Sequence, residues 1–181
     1  MKKMISMLLA LTMVLCLAAC GGNAAEPTEA PTEAAQKVEG TMEELLNKVI
    51  EIQPVEFMGG AMAIDLTDTS EDGLWMVKNY TGLDSAEGVS EAAFFEPMMG
   101  SIPYSMVMVR TTEGADVAAV AAGMKNGIDT RKWICVEADD LQVVSFGDVV
   151  MLIMVGSDTG MTSQSFVDAF AQVCGGNVTV H

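Results

Sequence analysis

The chemistry open to this chain is bounded by its one histidine, His181, which is also its last residue. Hydrolysis by a serine or cysteine nucleophile needs a base beside it and a third group holding that base. A terminal residue is where chains ordinarily fray, so the sequence argues against histidine catalysis. Carboxylates are the other proton-transfer groups, and Glu137, Asp139 and Asp140 fall together. In a chain with 25 acidic residues, such a cluster is expected to be a solvated loop before it is an acid–base pair. The string Asp68-Thr69-Ser70-Glu71-Asp72-Gly73 sets oxygen-bearing Asp68, Ser70 and Asp72 at alternate positions ahead of a glycine, as a calcium loop begins. Its twelfth position is Asn79, which cannot supply a bidentate carboxylate. The three are weak metal candidates beside the plainer expectation of an acidic turn.

Sulfur is the other resource. Of the 16 methionines, Met1, Met4, Met7 and Met13 fall in the first nineteen residues and twelve follow, among them Met98, Met99, Met106, Met108, Met151 and Met154. Thioethers are soft ligands for Cu(I), but within β-forming apolar runs methionine is adaptable core filler, and core packing is the expectation. Cys135 and Cys174 are too far apart in sequence for a Cys-x-x-Cys redox motif. In an oxidising compartment they are a candidate disulfide, closing a loop worth about 3 to 4 kcal/mol; the alternative is two buried, unlinked thiols. Gly59-Gly60 and Gly175-Gly176 read as a turn and a helix stop rather than a phosphate-binding loop.

The remaining cysteines are Cys16 in the leader and Cys20 just after it. Met1-Lys2-Lys3 precedes an apolar run through Leu17 without an acidic or basic residue, the form of a secretory signal and short of the roughly 20 residues a spanning helix needs. Leu17-Ala18-Ala19-Cys20 resembles a bacterial lipobox, in which the cysteine is lipidated and becomes the mature N-terminus. Two acyl chains anchor stably where one holds only reversibly. Residues 20–40 read as an acidic Pro/Thr tether with the echo Pro27-Thr28-Glu29-Ala30 and Pro31-Thr32-Glu33-Ala34, too poor in large apolar groups to offset its ordering entropy. Loss of residues 1–19 removes Lys2 and Lys3, leaving seven basic against 25 acidic residues, a net charge of −18. Such a field repels phosphate backbones, so no nucleic-acid partner is expected.

The elements that must position these groups occupy residues 41–181, the size of a single domain. Thr41-Met42-Glu43-Glu44 is a capping box ahead of Met42, Leu45, Leu46 and Val49 at helical spacing, predicting a helix over about 42–52. "FMGGAMAI" reads as an uncertain strand, "DLTDTSEDG" as a polar loop, and Leu74–Tyr80 as a helical or extended apolar segment. One pattern then occurs twice. Strands at Ala92–Glu96 and Tyr104–Thr111 lead to a helix from about Asp116 to Lys125; strands at Leu141–Phe146 and Val149–Val155 lead to a helix aligning Phe166, Phe170 and Val173. Two strand–strand–helix units predict an α+β fold, an antiparallel sheet of about four strands with helices packed on one face. Val149–Val155, apolar throughout, is expected at its centre.

With the lipobox and tether, Asn79-Tyr80-Thr81-Gly82-Leu83-Asp84, Glu96-Pro97-Met98-Met99, the strand Met106–Arg110 and Asp148-Val149-Val150-Met151-Leu152-Ile153 followed by Ser157-Asp158 carry a resemblance. Over roughly residues 41–174 the chain resembles domain-of-unknown-function family 4358, small lipoproteins of Gram-positive bacteria. The resemblance implies an exported lipoprotein and no established activity, so no catalytic residue carries over. The expectation is a membrane-tethered extracytoplasmic module without a cofactor, binding a protein, a wall component or a small ligand at the cell surface. The alternative is a calcium- or copper-handling protein, or a carboxylate-dependent enzyme.

Overall fold

A computed structural model describes residues 36–181; the leader, Cys20 and the tether to residue 35 lie outside the described residues. The first helix, α1 (Met42–Ile52), begins where its capping box places it. Thr41 Oγ1 accepts the Glu44 N–H at 3.2 Å while Glu44 Oε2 accepts the Thr41 N–H at 3.1 Å, and Met42, Leu45, Leu46 and Val49 are all buried. There follow β1 (Gly59–Ala63), α2 (Glu71–Thr81), β2 (Val89–Pro97), β3 (Tyr104–Thr111), α3 (Val117–Gly127), β4 (Asp140–Phe146), β5 (Val149–Val155), α4 (Ser163–Cys174) and β6 (Thr179–Val180). All strand pairs are antiparallel, in one six-stranded sheet of order β1-β2-β3-β5-β4-β6.

The α+β class and the central place of β5 agree with the sequence; the strand number and the layering do not. The two added strands are the edges. β6 has only two residues, and β1 contains the glycines that read as a turn. Gly59 is needed there because a Cβ would fall 2.6 Å from the Glu96 carbonyl oxygen.

The expectation of helices on one face is corrected by the two cores. Val149, Met151, Ile153 and Val155 pack with α1 and α4, whereas Val150, Leu152 and Met154 pack on the opposite face with Val77 of α2 and Ala121 and Met124 of α3. The reason is in β5 itself. An apolar strand with no polar alternate residue has no face to leave in water, and each fully buried Leu or Ile contributes about 1.5 to 3 kcal/mol. The two strand–strand–helix units therefore send α3 and α4 to opposite sides of the sheet.

The ordered domain also begins earlier than residue 41. Val38, the one large apolar residue of the expected tether, is buried, and Asp148 in the β4–β5 turn donates its N–H to the Gln36 carbonyl at 3.0 Å. Gly147 is in the left-handed region at φ 56°, and a Cβ on it would lie 1.8 Å from that same carbonyl oxygen. Only glycine allows the strap so close to the turn.

Candidate functional site

The two ends of the sheet carry two ionic clusters. At the end where β3 finishes and β5 starts, the Arg110 guanidinium donates to Asp148 Oδ2 (2.7 Å), Glu91 Oε2 (3.2 Å) and the carbonyls of Val38 (2.9 Å) and Gly40 (2.6 Å). The carboxylates complete the circuit by accepting the backbone N–H groups of Val38 and Met42. Five donors in a rigid fork suit arginine to this task. The cluster fixes where the chain enters the domain.

At the other end, where β2 finishes and β3 starts, Lys132 reaches in from the segment between α3 and β4. Its Nζ lies 2.5 Å from Glu96 Oε1 and donates to the Asn79 carbonyl and Ser105 Oγ, each at 3.2 Å. The ammonium sits 4.8 Å from the Tyr80 ring centroid and 5.5 Å from that of Trp133, and Tyr80 stacks on Phe94 at 3.7 Å. The Lys132 and Glu96 side chains are 5% and 16% exposed. Although the ammonium touches Glu96 Oε1, no donor meets that buried oxygen at a hydrogen-bonding angle, so the contact is an ion pair rather than an aligned bond. Burial lowers the Lys132 pKa and the Glu96 charge only partly restores it; burial, then Glu96, raises that of Tyr80. Chemically, this is a desolvated cation under an aromatic lid. It pins the 128–139 segment to the sheet.

Around this end lie Met58 and Met98, each 79% exposed, Met99, and Ile134 at 85%. Two depressions open to solvent, of about 250 and 260 Å³, flank the segment; Cys135, Val136 and Glu137 are common to both. The expectation that Met98 and Met99 are core filler is therefore corrected, while Met106, Met108, Met151 and Met154 are fully buried. The Glu-Pro-Met-Met motif ends β2 in a surface turn, where no second layer covers it among the described residues.

The other sequence candidates are placed as follows. Asp68 Oδ1 accepts the Ser70 N–H at 2.9 Å and Ser70 Oγ accepts the Gly73 N–H at 3.2 Å, so two of the three calcium candidates shape the turn and cap α2. Asp72 lies in the first turn of α2. Among the described residues no three metal-ligating His, Cys, Asp or Glu side chains converge. Of the acids at 137–140, Glu137 and Asp139 lie exposed in the loop before β4, as expected, while Asp140 begins the strand; Glu137 pairs with Arg131 at 3.2 Å, Asp139 accepts the N–H and hydroxyl of Ser157, and Asp140 those of Ser163 at the start of α4. The Ser157 bonds lower the Asp139 pKa, opposite to what a general acid needs.

Cys135 and Cys174 are both free, correcting the candidate disulfide. Cys135 lies beside Asp139 and Ser157, near the start of β4. Cys174 ends α4, which runs alongside β4 from Ser163 at Asp140 to Gly176 against the Phe146 ring. Opposite ends of a seven-residue strand are about 20 Å apart, against a limit near 7 Å for a disulfide. Cys135 is also the one non-glycine residue with positive φ, 69°, among the described residues.

His181 does not fray. Its N–H donates to the Val143 carbonyl at 2.9 Å and its Nε2 lies 2.8 Å from Ser145 Oγ. That is nucleophile–base distance, but burial and then the Lys125 charge lower the imidazole pKa, disfavouring the imidazolium a general base must form. Sequence reasoning missed this pair, Lys132 and the Arg110 cluster. The only signals were a charge ending an apolar strand and an acid at a hairpin turn. No family model matches the chain, and no curated protein or solved structure does.

Proposed function

We propose that this chain is a lipoprotein held to the extracytoplasmic face of the membrane through Cys20, and that its domain is a non-enzymatic binding module using the Lys132–Glu96 end of the sheet. The observation that carries the reading is the placement of exposed Met98, Met99 and Ile134 around that end, while Gln36–Gly40 are clamped at the other. From Glu91 to Glu96 along β2 the two ends are about 17 Å apart. Exposed apolar side chains rimmed by polar groups mark interaction surfaces, and a module tethered at one end presents the other. Among the described residues no helix is long and apolar enough to cross a membrane; on this reading the lipid supplies attachment.

Two measurements test it. Growth with radiolabelled palmitate should label the chain, and Cys20→Ser should abolish the label; label that survives the substitution removes the anchor. A photo-cross-linking amino acid at Ile134 should give a discrete adduct on intact cells, and the same group at Glu113, near the clamped end, should not. Equal yields at the two positions would remove the binding surface.

A further inference from the structure

We infer that β1 is a self-association edge, through which two copies of this chain join antiparallel strands into one continuous sheet. Among the described residues β1 pairs only with β2. Four of its five residues are exposed and Ala61 is partly covered, so among the described residues no helix or loop seals its outer side. The devices that blunt an edge strand are charges, proline, bulges or brevity. The other edge has brevity: β6 is two residues long. β1 has none of them, since residues 57–64 carry no charge and no proline and the register with β2 is unbroken from Gly59 to Ala63.

The hydrogen-bond phase fixes which residues can pair outward. Met98 donates its N–H to the Met58 carbonyl and Ile64 to that of Ala92, both at 2.9 Å, so the even-numbered residues of this stretch bond to β2. By strand alternation Gly59, Ala61 and Ala63 turn their N–H and C=O groups to the open edge. That set is symmetric about Ala61. A second copy laid antiparallel with Ala61 opposite Ala61 pairs Gly59 with Ala63 and satisfies the outward groups of all three residues in both chains.

The side chains fit the same register. Gly60 and Met62 then face each other as a non-hydrogen-bonded pair, the closer type, with Cα atoms about 4.5 Å apart. A Cβ on Gly60 meets nothing within 4 Å, and Met62 is 58% exposed. Each copy thus offers a vacancy where the other offers an unburied thioether side chain, twice per dimer. A register shifted by two residues loses this match. Self-complementarity of this kind is what a two-fold interface requires, and it selects a second copy over an unrelated strand.

The test is cross-linking between full-length chains. Cells co-express two differently tagged copies, both carrying Cys135→Ser and Cys174→Ser, one with Gly60→Cys and the other with Met62→Cys. The expected Cα separation lies within the disulfide range, and both positions are exposed. Mild oxidation should yield a disulfide-linked species bearing both tags, several-fold more abundant than from two Gly60→Cys copies or from Gly60→Cys with Thr179→Cys. Absence of that species, or equal yields from all three pairings, overturns the inference. An adduct carrying one tag and a foreign mass also overturns it, and gives the edge to another protein.

Discussion

Arg110 Nη1 stands 2.7 Å from Asp148 Oδ2, and this pair joins neighbouring strands β3 and β5 to the segment that enters the domain. The same nitrogen donates to the Val38 carbonyl, and Asp148 Oδ1 accepts the Val38 N–H. Both peptide groups flanking the Val38 side chain are thereby satisfied while the side chain is buried, which is the condition for burying backbone without penalty. The domain boundary is thus set by an ion pair and one valine, within a stretch whose composition is that of a tether.

Breaking this pair leaves a mostly buried charge without its partner. Arg110→Ala is expected to cost about 3 to 5 kcal/mol, read as a lower urea midpoint. Arg110→Lys should recover only part, because a lysine cannot reach two carboxylates and two carbonyls as a planar fork does. Gly147→Ala should loosen residues 36–40 specifically, seen as faster amide exchange at Val38 with the β5 amides still protected. Unchanged exchange at Val38 would mean that the strap is held elsewhere.

Lys132 and Glu96 predict a different pattern. Removing either partner strands the other in a poorly solvated site, so Lys132→Met and Glu96→Gln should each destabilise by about 3 to 5 kcal/mol. The double variant replaces the pair by neutral groups and should fall well short of the sum, with a coupling of about 1 to 3 kcal/mol. Additive losses would show that the two charges do not sense each other. Because Lys132 anchors the loop bearing Ile134, the single variants should also weaken cross-linking from that position.

Local signals in the sequence located the elements and said little about what meets what. The capping box at Thr41 and the seven apolar residues of β5 were legible because each depends on neighbours in the chain. Which face of the sheet a helix covers depends on crossover geometry, so an apolar stripe such as Val117, Ala121 and Met124 reads the same on either side. The Arg110–Asp148 contact spans 38 residues and leaves no local period. Tyr80 and Glu96 stood in two of the short stretches that carried the resemblance, yet the cation that joins them sits in an irregular segment, between Arg131 and Trp133, without a pattern to mark it.

The two thiols should differ sharply in reactivity. Burial pushes the Cys174 thiol up to about 11, leaving on the order of one molecule in a thousand as thiolate at pH 8, against roughly one in four for an ordinary thiol. Cys135 is exposed. Timed alkylation of the native protein at pH 8, followed by peptide mass spectrometry, should label Cys135 at least tenfold faster, and denaturant should erase the difference. Protection of both thiols until a reductant is added would reinstate a disulfide.

His181 supplies a pH dependence whose sign follows from its surroundings. Burial first, and Lys125 second, lower the imidazole pKa below its ordinary 6.5, so the fold prefers the neutral ring, which can accept a bond from the Ser145 hydroxyl. The unfolded chain then binds more protons as the solution is acidified. Any stability this group contributes is present above about 6.5 and is lost as pH falls through the lower folded value. The β6 segment should therefore loosen on mild acidification, with exchange of the His181 N–H, bonded to Val143, accelerating beyond its intrinsic pH dependence. A proton NMR titration of the ring should give a midpoint below 6.5, and Lys125→Met should move it upward. A wild-type midpoint at or above 6.5 would mean that the imidazole is solvated and β6 is held by its backbone alone.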